Sequence, residues 1–219
     1  MYLLLEDTIS KFYLAQNLFI FLIFYYIMEF QKVLDKRASV KKFSSKKPAV
    51  ENIMEAIFAA NMAPAAGNIP ELIYLVVDDK EKIGKIADAC QQSFIAQSPY
   101  LVIVCSITKQ AKRLYDLKAD KYLKHNVGAS VENFLLKIVD LGLASCWVGA
   151  FSEPTIKNTL GIPDSMEIEV VIPVGYELIT FKTRLKQPKP KYSLVNRVFF
   201  NSWGNKFYKP LIKIRRENV

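Results

Sequence analysis

NVGASVENFLLKIVDLGLASCWVGAF, residues 126–151, is the stretch of sequence that decides the fold of this chain. Apolar residues recur in its first part at the three- and four-residue spacing of a helix that is buried on more than one face. Gly142 predicts the end of that helix, Leu143–Val148 predicts a short buried strand, and Gly149 gives a point at which the backbone can be approached closely. A buried helix followed by a strand that ends in bare backbone suits a cofactor site. The same pattern is also typical of a plain core helix followed by a core strand.

Outward from this stretch, the sequence predicts a single α+β domain without repeats or low-complexity linkers. Hydrophobic patterning places the other predicted strands at Leu72–Val77, Tyr100–Cys105 and Glu167–Val174. Helices are predicted at Phe30–Asp35, at Lys80–Ala89 and at Glu153–Leu160, the last with Ser152 as N-cap. A further helix is predicted after Pro48, where an apolar stripe includes Val50, Ile53, Met54, Ile57 and Phe58. Lys109–Lys124 is polar and predicted to be helical only in part.

The composition excludes several classes of protein and chemistry. With 219 residues, of which 51% are hydrophobic and 23% are charged, the chain is long and apolar enough to form a sizeable core. Three widely spaced cysteines and a single histidine fit neither a disulfide framework nor a zinc site, and they make Ser-His-Asp chemistry improbable. No dinucleotide-binding glycine motif, P-loop or metalloprotease motif occurs. If the chain is an enzyme, a bound cofactor is therefore expected to carry the chemistry, without a catalytic side chain or a metal.

Positive charge is concentrated at the C-terminal end. From Lys182 to Val219 there are 11 lysines and arginines and one acidic residue, Glu217, while the rest of the chain is close to neutral. A basic tail of this kind suits a phosphate group, and it equally suits nucleic acid.

The N-terminal 27 residues differ from the rest of the chain. Leu18–Met28, LFIFLIFYYIM, carries no charge and is somewhat short for a membrane-spanning helix. Three interpretations stay open: a membrane segment, a segment buried in a dimer, or upstream sequence preceding a true start at Met28. We therefore expect residues 1–27 to be an extension that the fold does not need, and residues 28–219 to form the domain, with a basic arm from about residue 182.

Five segments in order resemble the FMN-dependent nitroreductase family. They are RASVKKF (37–43), APAAGN (63–68), ASVENFLLKIVDLGLASCWVGAF (129–151), LGIP (160–163) and PVGY (173–176). The resemblance implies a central, mostly antiparallel sheet flanked by helices. It also implies an intertwined homodimer with a C-terminal arm, holding two FMN molecules at the interface, each contacted by both subunits.

The family's motifs can be carried over residue by residue as expected FMN contacts. Arg37, Ala38, Ser39 and Lys41 match the segment that serves the phosphate, the ribityl chain and the N1/O2 edge of the flavin. Asn68 matches an asparagine that bonds the pyrimidine part of the ring. Val148, Gly149 and Ala150 match the segment whose backbone N–H faces flavin N5. Lys189 and Lys191 match a paired basic motif that closes on the phosphate.

The sequence also departs from the family pattern. Pro70, Glu71 and Leu72 stand where members commonly carry Gln-Pro-Trp, Asn126 stands where an acidic residue is frequent, and Ala38 replaces a bulkier residue of some members. These departures concern substrate preference more than flavin binding.

The function that the resemblance implies is oxidation of NADH or NADPH by FMN. In ping-pong fashion, a hydride passes through flavin N5 to a nitro-aromatic, quinone or related small acceptor. The rivals are a flavin-binding relative without turnover and a basic protein that binds nucleic acid through its tail. We expect a cytoplasmic homodimer that does not bind nucleic acid and that touches a membrane only through residues 1–27.

Overall fold

The computed structural model describes residues 30–69, 71–178 and 197–206. The chain divides into two compact units, Met1–Gln187 and Pro188–Val219. The predictions for residues 1–27, Lys189 and Lys191 lie outside the described residues.

The first unit is built on a four-stranded sheet. Its strands are β1 (Leu72–Val77), β2 (Tyr100–Ile107), β3 (Ala144–Ser145) and β4 (Met166–Gly175), in the order β1-β2-β4-β3. All three strand pairs are antiparallel, with a bulge between Val104 and Cys105 where β2 pairs with β4. This confirms the predicted α+β class and the antiparallel sheet.

Six helices accompany the sheet within the described residues. They are α1 (Phe30–Lys36), α2 (Val50–Asn61), α3 (Lys80–Ala89), α4 (Thr108–Tyr115), α5 (Ala119–Asp140) and α6 (Glu153–Leu160). Short 3₁₀ turns occur at Ala66–Asn68, Ser93–Gln97 and Asp116–Lys118.

The core has one layer on each face of the sheet. Val102 and Val104 of β2 point towards α2 and α5, where they pack with residues such as Phe134. Leu101 and Ile103, the alternate residues of the same strand, point towards α3 and α6. Because helices cover both faces, β2 is apolar at every position from Tyr100 to Cys105, which explains the continuous hydrophobic run in its sequence.

Two predicted elements have different bounds in the structure. The central helix α5 begins at Ala119, well before Asn126, because Ala119 and Leu123 extend its buried face by two turns. Strand β3 is only two residues long, and Val148 instead forms an isolated bridge with Val171.

The apolar stripe of α2 divides between two faces of the helix. Ile53 and Ile57 are buried in the core. Val50, Met54 and Phe58, followed by Met62 just after the helix, are 44% to 72% exposed and recur every four residues along its outer side. The stripe is therefore only partly a core stripe.

The described part of the second unit is a tight turn. Phe199 bridges Lys206, the Phe200 N–H donates to the Asn205 carbonyl at 2.9 Å, and the Phe199 and Trp203 rings pack 5.1 Å apart. Trp203 is 92% exposed. Among the described residues of the chain, no helix is long and apolar enough to cross a membrane.

Candidate functional site

The segment that follows α1 lies against an edge of the sheet. Ser39 forms a parallel bridge with Ser145 of β3, and the Val40 N–H donates to the Ser145 carbonyl at 3.0 Å. Arg37, Ala38, Ser39 and Lys41 are thereby held beside the loop that leaves β3. Residues far apart in sequence, from the predicted RASVKKF and SCWVGAF motifs, are brought together here.

The loop after β3 presents bare backbone. Val148 is anchored to β4 by two hydrogen bonds with Val171, each 3.0 Å long, whereas Gly149 and Ala150 are exposed. Within the described residues, the backbone N–H groups of Gly149 and Ala150 make no hydrogen bond. This part of the edge can therefore donate hydrogen bonds to a ligand.

Gly149 is not required by the fold itself. A Cβ at this position would meet only Trp147 Nε1, at 3.8 Å, which is an ordinary contact. At Gly175, in contrast, a Cβ would lie 2.7 Å from the Pro99 Cδ atom, so the packing there demands glycine. A glycine that the chain's own packing does not need is expected where another group approaches the backbone closely.

Two cations flank this edge. The Arg37 guanidinium lies 3.7 Å from the Glu132 carboxylate of α5, a partly exposed pair of modest strength. The Lys41 ammonium lies over the Phe94 ring, 5.3 Å from its centroid. An anionic group bound at this edge would therefore find one cation paired to a carboxylate and one resting on an aromatic ring.

Cys146 lies beneath the same segment. Burial raises the pKa of its thiol above the ordinary value, while the Lys41 charge and a hydrogen bond with the Ser39 side chain act in the opposite direction. Cys90 and Cys105, which lie in the same core layer as Cys146, are also buried, and desolvation raises the pKa of each to about 11. Because thiolate is the reactive form, these buried thiols are poor nucleophiles.

Asn68 belongs to a different part of the molecule. It ends the 3₁₀ turn Ala66–Asn68, which packs against α5, and its N–H donates to the Ala65 carbonyl at 3.0 Å. No hydrogen bond or ion pair within the described residues joins this turn to the Arg37–Lys41 segment. The structure thus brings seven of the predicted site residues together and leaves Asn68 apart from them within one chain.

Two of the departures from the family pattern contact each other. The Asn126 side chain accepts a hydrogen bond from the Ala66 N–H at 3.0 Å and donates one to Glu71 Oε2 at 3.4 Å. Glu71 is 4% exposed and Asn126 is 7% exposed. Burial raises the pKa of Glu71, against the opposing effects of the Asn126 amide and the Ala111 N–H. A cavity of about 340 Å³ adjoins this pair and Asn68.

Sequence reasoning missed Phe94 and the pairing of Glu71 with Asn126. Phe94 lies in the 3₁₀ turn Ser93–Gln97, which carries no motif, so nothing local marked it. Glu71 and Asn126 each depart from the family pattern. That both positions depart together was the sequence signal that could have indicated their contact. No group of three or more metal-ligating side chains occurs in the part of the chain that the structure describes.

Comparison with known proteins agrees with this fold. The family model of the nitroreductase family matches residues 34–108 and 86–176. A protein of Archaeoglobus fulgidus, named as a candidate NADH dehydrogenase/NAD(P)H nitroreductase, is 28% identical over 150 residues, which cover 66% of this chain and 83% of the relative. The iodotyrosine deiodinase of Thermotoga neapolitana is 25% identical over 183 residues, covering 72% of this chain and 89% of that protein.

A solved structure shows the same fold. The FMN-dependent nitroreductase of Clostridium difficile superposes with a TM-score of 0.65 at 22% identity, over 78% of this chain and 98% of that one. An antiparallel α+β fold matched by this family model is that of a cofactor-dependent oxidoreductase. The chain belongs to the nitroreductase family.

Proposed function

We propose that this protein is an FMN-dependent NAD(P)H oxidoreductase that reduces small electron-poor acceptors. The observation that carries the proposal is the sheet edge at which the Arg37–Lys41 segment lies beside the N–H groups of Gly149 and Ala150, which have no hydrogen-bond partner among the described residues. Family membership supports it, as do the names of relatives that use FMN and NAD(P)H.

The residues of this edge fit the parts of FMN. Arg37 would bind the phosphate, Ser39 would bond the ribityl chain, and Ala38 would leave room beside it. A planar guanidinium can form two charge-assisted bonds with one phosphate. The Arg37–Glu132 pair, with 3.7 Å between its atoms, is loose enough for a phosphate to compete with the carboxylate.

The ring system would lie against the loop after β3. When bound, FMN supplies hydride chemistry at N5, accepting two electrons from NADH or NADPH and passing them to the acceptor. The N–H groups of Gly149 and Ala150 would hold the N5 side of the ring, while Val148 anchors the loop to β4 through its bonds with Val171. Lys41 would place a fixed cation where negative charge accumulates near N1, which favours reduction.

The acceptor would bind in the same pocket after the oxidised nicotinamide has left, which is a ping-pong sequence. Nitro-aromatics, quinones and related molecules are the acceptors that we propose. The chain's own role is to bind and orient them; water or the ribityl hydroxyls can supply protons.

We further propose that the working form is a homodimer in which Asn68 serves the flavin held by the other subunit. Asn68 makes no described contact with the Arg37–Lys41 segment of its own chain. The outer side of α2 exposes an apolar stripe, Val50, Met54, Phe58 and Met62, and α1 adds Phe30 and Leu34. Contiguous apolar surface of this kind marks an interaction site on a soluble protein. Helix α5 buries Val131, Phe134 and Ile138 in its own core, so α2 is the better candidate interface.

An absorption spectrum of the purified protein tests the proposed cofactor. We expect flavin bands and one FMN per chain after reconstitution, with FMN identified by chromatography of the heat-released cofactor. A colourless protein that FMN titration leaves unchanged, and that binds nucleic acid with strong salt dependence, would instead support the basic-tail alternative. A yellow protein without turnover on any acceptor would support the non-catalytic relative.

A further inference from the structure

The turn that carries Asn68 has an uncommon backbone. Gly67 and Asn68 adopt φ values of 61° and 52°, both in the left-handed region, which glycine enters freely and which asparagine enters more readily than other residues do. Gly67 also packs under the Tyr115 hydroxyl, which leaves no room for a side chain. Such a turn keeps one conformation only if its surroundings hold it.

Side-chain packing supports this turn only in part. Among the described residues, a cavity of about 340 Å³ is bordered by Asn68, Glu71 and Asn126, so fewer side chains pack against the turn on that side. The hydrogen bond from the Ala66 N–H to the Asn126 side chain, 3.0 Å long, is the side-chain support that reaches the turn from α5.

Asn126 is itself oriented by Glu71. Its amide donates to Glu71 Oε2 at 3.4 Å, which fixes the amide oxygen towards Ala66. Glu71 is fixed in turn by its backbone carbonyl, which accepts from the Ile107 N–H at 2.8 Å. Placing the Glu71 carboxylate here reduces the stability of the fold, because its Oε1 atom is buried and has no hydrogen-bond partner among the described residues.

We propose that Glu71 and Asn126 are positioning residues of the flavin site, which hold the Ala66–Asn68 turn in the conformation that FMN binding requires. The proposal rests on the proposed function, because it takes Asn68 to be a flavin contact. It assigns a role to two residues that reach the flavin only through the turn.

Four variants test the proposal by FMN titration of the folded, full-length protein. Asn126→Leu and Glu71→Leu remove the bridge and should each weaken FMN binding roughly tenfold or more. Glu71→Gln keeps an acceptor for Asn126 and should stay within about threefold of the wild type. Thr159→Val, which removes the 2.8 Å hydrogen bond from the Thr159 hydroxyl to the Thr155 carbonyl on α6, on the other face of the sheet, is the control and should leave FMN affinity unchanged.

Moving the carboxylate from position 71 to position 126 controls for variants that do not fold. Asn126→Asp places two carboxylates together and should weaken FMN binding. Adding Glu71→Gln to it restores a donor–acceptor pair with reversed polarity, and FMN affinity should recover to within about threefold of the wild type. Hydrogen exchange of the Ala66 amide should follow the same order, faster in Asn126→Asp and slower again in the double variant.

Two results separate the possible failures. If the wild type binds FMN while Asn126→Asp and both leucine variants keep its affinity within twofold, the positioning role is overturned and the proposed function stands. If the wild type itself binds no FMN, the proposed function fails, and the positioning role with it, whatever the exchange of the Ala66 amide shows.

Discussion

Replacing Phe58 with lysine should convert the protein from a dimer into a folded monomer that no longer retains FMN. Phe58 is 67% exposed at the middle of the apolar stripe of α2, and lysine is a good helix former that can pair with Glu55. Removing an interface anchor costs about 2 kcal/mol or more, and a twofold symmetric interface loses it twice. The dimer dissociation constant should therefore rise by roughly a thousandfold, measured by sedimentation at micromolar concentration.

Ile73→Lys provides the matched control for this substitution. Ile73 is also exposed and apolar, but it lies on strand β1. Its neighbours Leu72 and Tyr74 pack against the core layer that faces α2 and α5, so Ile73, the residue between them, faces the opposite side of the sheet from α2. The control adds the same charge and should leave a flavin-loaded dimer. A flavin-loaded Phe58→Lys dimer, or a wild type that is a flavin-loaded monomer of about 25 kDa, would contradict the proposed interface.

Replacing Arg37 with alanine should weaken FMN binding by about ten- to a hundredfold. A hydrogen bond to a charged group contributes about 1.5–3 kcal/mol, and each 1.4 kcal/mol corresponds to a factor of ten. The loss should be seen in fluorescence titration of the apoprotein, while riboflavin, which lacks the phosphate, should lose much less affinity.

Lys42→Ala is the control for Arg37→Ala. It removes the same charge five residues away, from an exposed lysine that is not among the proposed contacts. We expect its FMN affinity to stay within about twofold of the wild type. Equal losses in both variants would mean that the site responds to overall charge, and the phosphate role of Arg37 would be wrong.

Local sequence signals predicted much of the fold. Helix α3 and strand β1 have the predicted bounds because their signals are local: Asp79 caps the helix by accepting from the Lys82 N–H at 3.0 Å, and β1 is a short apolar run closed by two aspartates. Helix α6 also has its predicted bounds, although the Ser152 hydroxyl pairs with the Thr155 hydroxyl rather than with the backbone.

Periodicity could not tell a core face from an exposed apolar face. On α2, Phe58 continues the same apolar pattern as Ile53 and Ile57, yet it is exposed because no described element of its own chain covers it. The start of α5 was not predicted because its first turns are mostly polar and bury only Ala119 and Leu123 before Asn126, too few apolar residues to show a helical period.

The site was predictable where it followed a motif and not where it depended on tertiary contacts. Arg37–Lys41 and Val148–Ala150 were assigned from the family pattern, and the structure places them side by side. Lys41 over Phe94 and Glu71 with Asn126 join residues more than 50 positions apart, and no local pattern encodes such pairs.

Anaerobic titration of the FMN-loaded protein with NADH and then with NADPH tests the central claim most directly. The flavin absorbance should bleach fully with one equivalent of at least one nucleotide per FMN. It should then return on addition of a quinone or nitro-aromatic, before oxygen is admitted. If neither nucleotide bleaches a fully loaded flavin, or if no acceptor restores its colour, the protein is not the oxidoreductase proposed here.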